Sequence, residues 1–168
     1  TNTVAGVSIS SAITVELRDS NGTLVLDNTD NVTLAFGTDP STGSATLGGT
    51  LTVAAVAGVA TFNAVNIDKA FTGYDLVASS AALTTDTSTS FNITPATKAK
   101  LAIIDQPTNA EYNSNITPAI TVEIRDAFDN LTADTDSISF AINNNPGTST
   151  LSGTTSVNAI AGTATFSD

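Results

Sequence analysis

The chain has 168 residues, a formal net charge of −11, and no Cys, His, Met or Trp. Those absences exclude His-assisted nucleophiles, thiol chemistry, disulfides and ordinary zinc sites. The five basic residues, Arg18, Lys69, Lys98, Lys100 and Arg125, are scattered, so there is no basic stripe for nucleic acid or an anionic membrane surface.

Hydrophobicity alternates with a period of two, and no segment carries a helical period. Ile13, Val15 and Leu17 alternate with Thr14, Glu16 and Arg18, which predicts a strand with one dry and one wet face. Asn21-Gly22 follows as a tight-turn pair. Val32, Leu34 and Phe36 alternate with Thr33 and Ala35 in the same way, and Asp39-Pro40-Ser41 is a loop. Further strands are predicted over Leu51–Val56, Val59–Asn63, Tyr74–Ala78 and Ser90–Ile93. Thr94-Pro95-Ala96-Thr97 reads as a short, semi-rigid joint. Beyond it, Leu101–Ile104 and the alternating Ile138, Phe140 and Ile142 are strands, and Asn145-Pro146-Gly147 is a loop. The longest apolar run, Val53–Ala60, is far too short for a membrane span.

An internal repeat organises these elements. Ile13-Thr14-Val15-Glu16-Leu17-Arg18-Asp19 recurs as Ile120-Thr121-Val122-Glu123-Ile124-Arg125-Asp126, an offset of 107. Thr46-Leu47-Gly48-Gly49-Thr50 recurs as Thr150-Leu151-Ser152-Gly153-Thr154, and Gly58-Val59-Ala60-Thr61-Phe62 as Gly162-Thr163-Ala164-Thr165-Phe166, both at 104. The three-residue change is expected between Asp19 and Val32, in a loop or hairpin. The unit is about 105 residues, an ordinary domain size. The expected domains are 1–94 and 98–168, joined by a linker at 95–97. The window is expected to open inside one repeat and close inside the next, leaving the first domain without its first strand and the second without its last strands.

About seven short strands per repeat predict an all-β fold of tandem antiparallel β-sandwiches. The residues that carry the repeat resemble the immunoglobulin-like tandem domains of large bacterial surface proteins, the group that includes invasin- and intimin-type repeats. The motifs are Ile-Thr-Val-Glu-Leu-Arg-Asp-Ser-Asn-Gly (13–22), Leu-Gly-Gly-Thr (47–50), Gly-Val-Ala-Thr-Phe (58–62), Gly-Tyr-Asp-Leu (73–76) and Ser-Phe-Asn-Ile (90–93), with their second-copy counterparts at 120–126 and 162–166. The resemblance covers nearly the whole chain. It implies an immunoglobulin-like fold and a structural, non-enzymatic role at the cell surface, with neighbouring copies of the same repeat as partners. The second copy has Asp129-Asn130 where such domains often have Gly-Asn. In such folds a Tyr at the position of Tyr74 ties its hydroxyl to backbone at a corner.

Asp126, Asp129, Asn130, Asp134 and Asp136 cluster within eleven residues and are the candidate ligands for calcium, which takes six to eight oxygens. Asp27 and Asp30 form a weaker group in the first copy. Glu16/Arg18 and Glu123/Arg125 are expected to form cross-strand charge pairs. No aromatic platform accompanies the acids, so glycoside hydrolysis is not expected. Five Asn-x-Ser/Thr sequons, at Asn21, Asn31, Asn92, Asn115 and Asn130, allow glycosylation. The expected function is a stalk, surface-layer or fibre segment outside the cell. One alternative is a filament subunit assembling by strand donation or swapping. The other is an adhesin module binding a glycan or other ligand, for which Tyr112 is the candidate contact.

Overall fold

A computed structural model describes residues 3–9, 11–81 and 83–168. Among them the chain is all-β, with no helix, and it divides into two compact units, Thr1–Pro95 and Ala96–Asp168. Among the described residues no helix is long and apolar enough to cross a membrane.

The first unit contains β1 (Thr3–Val4), β2 (Ile13–Glu16), β3 (Asn31–Thr38), β4 (Leu47–Gly48), β5 (Thr52–Ala54), β6 (Val59–Phe62), β7 (Asn66–Ile67), β8 (Thr72–Ser79), β9 (Asp86–Thr87) and β10 (Phe91–Thr94). One sheet has the order β1-β10-β8-β3-β5, with β9 also on β8. Its pairings are antiparallel except β1 on β10, which is parallel. The strands β2 and β6 form a separate antiparallel pair, and so do β4 and β7. The alternating residues explain why these layers share a core. Leu17, Ala60 and Phe62 come from the β2–β6 side, and Val32, Leu34 and Leu76 from β3 and β8, and all are buried in one cluster.

The second unit contains β11 (Lys98–Ile103), β12 (Ile120–Asp126), β13 (Ser137–Ser139), β14 (Ser156–Asn158) and β15 (Thr163–Phe166). The strand β12 lies between β11 and β15, antiparallel to both, and β13 pairs with β14. Ile120, Val122, Ile124, Ile138, Ala164 and Phe166 are its buried core. Phe140 meets Phe166 edge-on, with centroids 4.7 Å apart.

Ile138, Phe140 and Ile142 were expected to share one strand, but β13 stops at Ser139. The first unit supplies the reason. Its β3 is paired on both sides, by β5 and β8, and extends for eight residues. Among the described residues β13 has β14 alone, and alternation without a second ladder does not hold the chain extended.

Backbone bonds recur between the units. Leu17 N–H donates to the Gly58 carbonyl, and Ile124 N–H to that of Gly162, both at 2.8 Å. Val25 N–H bonds Leu17 C=O as Thr132 N–H bonds Ile124 C=O, both at 3.0 Å. Ala55 N–H bonds Asp30 C=O as Ala159 N–H bonds Asp136 C=O. Leu34 N–H bonds Leu51 C=O as Phe140 N–H bonds Thr155 C=O. Val25 and Thr132 stand 107 residues apart, Asp30 and Asp136 106, and Leu51 and Thr155 104. The three-residue change is therefore not confined to Asp19–Val32, as expected from sequence. One residue is lost between Val25 and Asp30, and two between Leu34 and Leu51. Both stretches leave one strand and reach the next, where a length change breaks no ladder.

The β5–β6 connection bends through Ala57 (φ +51) and Gly58 (φ +77), and the β14–β15 connection through Ala161 (φ +49) and Gly162 (φ +83). Positive φ at both central residues is the signature of a type I′ hairpin. The glycine is fixed a second time by crowding. A Cβ on Gly58 would lie 2.4 Å from the Val25 carbonyl oxygen, and one on Gly162 2.0 Å from that of Thr132.

Candidate functional site

The acidic stretch of the second unit begins where β12 ends. Asp126 is fully buried. Its Oδ1 accepts the N–H groups of Phe128 (2.9 Å) and Asn130 (2.8 Å). Its Oδ2 accepts the Ala96 N–H (2.8 Å) and the Asn130 side-chain amide (2.9 Å). Four donors fill the four lone-pair directions of a carboxylate. Burial pushes this carboxyl up, but the Asn130 amide and the Ala96, Asn130 and Phe128 N–H groups together hold it below its ordinary value.

Asp19 makes the exposed counterpart of this turn. Its Oδ1 accepts Asn21 N–H at 2.9 Å and Thr23 N–H at 2.8 Å. Gly22 has φ +80, and Asp129 takes the same place with φ +68. Aspartate is among the few residues that tolerate this region, so the turn survives the loss of glycine. The preceding arginine fastens it. Arg18 pairs with Glu16, two residues before it at the end of β2, and donates to the Gly22 carbonyl. Arg125 pairs with Glu123 at 2.6 Å and reaches the Asp129 carbonyl at 3.4 Å. The expected cross-strand charge pairs are thus pairs within one stretch of chain. Side chains two apart point to the same face and are close enough to meet.

The remaining acids turn to lysines on β11. Lys100 Nζ lies 2.7 Å from Asp129. Lys98 Nζ contacts Asp136 and lies 3.4 Å from Asp134. The Thr132 hydroxyl and the Lys98 ammonium hold the Asp134 carboxyl below its ordinary value, and Asp136 with Asp134 raises Lys98. All are surface pairs of small energetic worth. The five expected calcium ligands, Asp126, Asp129, Asn130, Asp134 and Asp136, are therefore not gathered on one point. Asp126 is saturated with donors and bound to Asn130, Asp129 is drawn to Lys100, and an ammonium stands between Asp134 and Asp136. Among the described residues no group of three or more His, Cys, Asp or Glu is placed to hold a metal. Melting of the second unit should occur at the same temperature in millimolar calcium and in chelator. A ligand at a hundred times its Kd would add about 2.7 kcal/mol, a shift easily seen by calorimetry. The lysine partners were not legible locally, since Lys98 and Asp136 meet only through the pairing of β11 with β12.

Tyr74 is fully buried in the first unit. Its hydroxyl donates to the Lys69 carbonyl at 3.0 Å, and its ring stacks between Phe36 (5.7 Å) and Phe91 (6.2 Å). Burial, then the negative field of Asp39 and Asp68, pushes the phenol up to about 12. It stays neutral and is a packing residue with a tethered end. Tyr112 is the opposite case, 99% exposed outside the strands.

The first unit carries a groove of about 570 Å³. One wall is the strand edge from Ile13 to Arg18, and the other runs over Leu76, Ala78 and the β8–β10 connection. Val32 and Leu34 form part of its lining, and Ser80 lies on it with a buried hydroxyl oxygen that has no hydrogen-bond partner. Sequence reasoning did not find this groove, because an unpaired edge is a property of pairing and leaves no residue signature.

The chain matches no protein-family model, no curated protein and no solved structure in the three comparisons made.

Proposed function

We propose that the two units are copies of one immunoglobulin-like β-sandwich domain, and that the chain is a structural segment of an extracellular array, a stalk, surface layer or fibre. The observation that carries this reading is the fastened Glu-x-Arg-Asp turn. In both units the aspartate Oδ1 accepts two N–H groups of the turn and the arginine pairs with the glutamate two residues before it, and the type I′ hairpin recurs as well. Three features support the immunoglobulin-like reading of the first unit. Its β2–β6 pair and its β1-β10-β8-β3-β5 sheet share one core. Neither β2 nor β3 pairs with the strand that follows it in sequence, so the chain crosses from one set of strands to the other. The Tyr74 hydroxyl returns to backbone five residues upstream at the start of β8, as a tyrosine corner does.

The structural role draws on the same residues. The polar side chains described above are spent on turns and ion pairs that hold the backbone. In an array of such domains each copy is stabilised by its own core and passes tension to the next. An acidic surface keeps such an array soluble and its copies apart.

Antibodies raised against the 168-residue chain test the location. They should label intact cells of the source organism, and external protease should remove the label. Labelling that appears only after permeabilisation would overturn the extracellular reading.

A further inference from the structure

We infer that Asn21 is a site of spontaneous modification, at which the folded first unit loses a side-chain amide to water and acquires an isoaspartate or an aspartate. The inference stands apart from the reading of the chain as a surface segment, since it needs only the turn that follows β2.

Asn21-Gly22 is the single Asn-Gly pair in the sequence. Both residues are exposed. A Cβ at Gly22 would meet nothing within 4 Å, so the space beside its nitrogen is open. Among the described residues the Asn21 side chain has no hydrogen-bond partner, and only its backbone N–H is held, by Asp19 Oδ1. Other asparagines are engaged. The Asn28 side chain binds Asp30, that of Asn92 accepts the Gly73 N–H, and Asn130 is buried against Asp126. Asn145 precedes a proline, whose nitrogen carries no hydrogen to give up.

The chemistry needs those freedoms. The Gly22 N–H gives its proton to solvent, and the nitrogen attacks Asn21 Cγ. The N–Cγ bond forms as the Cγ–Nδ2 bond breaks, so ammonia departs and a five-membered imide remains. Water then opens the imide. Addition at Cγ gives aspartate. Addition at the main-chain carbonyl leaves the chain running through Cγ, which is isoaspartate. No electrons are exchanged; one water enters and one ammonia departs. The Gly22 N–H must first leave the Asp19 carbonyl, a 2.9 Å bond at the surface that local opening breaks at small cost. Arg18 favours the step. It donates to the Gly22 carbonyl and so sets a positive charge beside the residue whose nitrogen becomes an anion.

The modification falls on the fastened turn. Asp19 Oδ1 holds the N–H groups of Asn21 and Thr23, one on each side of the altered link. Isoaspartate adds a main-chain methylene between them, so both bonds cannot keep their lengths. Either product adds a negative charge beside Asp19, in a chain already at −11. The second unit is immune at the matching position. Phe128 and Asp129 stand where Asn21 and Gly22 stand, and Phe128 has no side-chain amide to lose. Ageing therefore loosens the turn of one unit and spares that of the other.

The test holds the full chain at 37 °C and pH 8 and follows each asparagine by peptide mapping that resolves isoaspartate, with amide hydrogen exchange before and after. Asn21 should be lost at least tenfold faster than any other asparagine, and more slowly at pH 5, where less of the Gly22 nitrogen is deprotonated. Exchange at Thr23 should quicken several-fold in the aged chain, while that at Phe128 and Asn130 is unchanged. Asn21→Gln alters an exposed side chain that makes no bond. It should stop both the loss and the change in exchange, because glutamine must close a six-membered ring. Gly22→Asp should slow the loss at least tenfold. Asp129 holds the same place at φ +68, so the turn accepts that residue. Survival of Asn21 as long as Asn130, or loss only in urea, would show that the fold protects the pair and would overturn the inference. So would a Gly22→Asp chain that ages as fast as wild type, since the open space at Gly22 would then not matter.

Discussion

Asp126→Ala should lower the stability of the second unit by about 3 kcal/mol or more, against about 1 kcal/mol for Asp19→Ala in the first. The two aspartates close the same turn, so the difference measures burial. Removing the Asp126 carboxylate strands four donors, the N–H group and side-chain amide of Asn130, both buried, and the N–H groups of Ala96 and Phe128, both part-buried. Removing Asp19 releases two N–H groups that are free to bond water. Asp126→Asn keeps one acceptor oxygen and should fall between wild type and alanine. Acid acts in the same direction. The folded-state carboxyl lies below its unfolded value, so its contribution is present above the unfolded value, near 4, and is lost as pH falls through the folded one. Urea unfolding followed by the amide resonances of each unit checks both claims. Equal losses for Asp126→Ala and Asp19→Ala would show that the buried bonds contribute no more than the exposed ones.

The contrast between those two aspartates marks how far the sequence could be read. Alternation at Ile13–Leu17 placed its strand, because a period of two is set by the backbone itself, and the recurring residues at Ile120–Asp126 form β12. The two stretches read alike, down to Glu-x-Arg-Asp. What differed was the neighbour, and neighbours are set by pairing over long distances. Asp126 is buried because Ala96 arrives from thirty residues upstream, and β2 is half-open because nothing described lies along its outer edge. For the same reason the acidic cluster looked like a cation site. Five oxygen-bearing residues in eleven fit calcium on composition, but β11 delivers two ammonium groups, and Ala96 before it a backbone N–H, that composition does not place. Tyr74 was legible, because a Tyr after Gly at a strand start needs only local geometry and one carbonyl five residues back.

Tyr74 supplies the second large effect, now in the first unit. Tyr74→Ala should cost about 4 kcal/mol, the range for truncating a buried aromatic ring, since the cavity opens between Phe36 and Phe91 and neither strand can close it without leaving its ladder. Tyr74→Phe keeps the stack and removes the hydroxyl with its bond to the Lys69 carbonyl and its contact with Ser41, which should cost about 1 kcal/mol. Alkali separates the hydroxyl from the ring. The phenol is raised to about 12 in the folded state, so the protonated form is the one the fold favours. Its contribution is intact below the unfolded value, about 10, and is lost as pH rises through the folded one. Wild type should lose stability across that window more steeply than Tyr74→Phe, which has no proton to give up there. Denaturant unfolding at pH 8 and at pH 11 reads the difference. Parallel curves for the two proteins would mean that the corner bond does not hold the first unit and that the ring alone does.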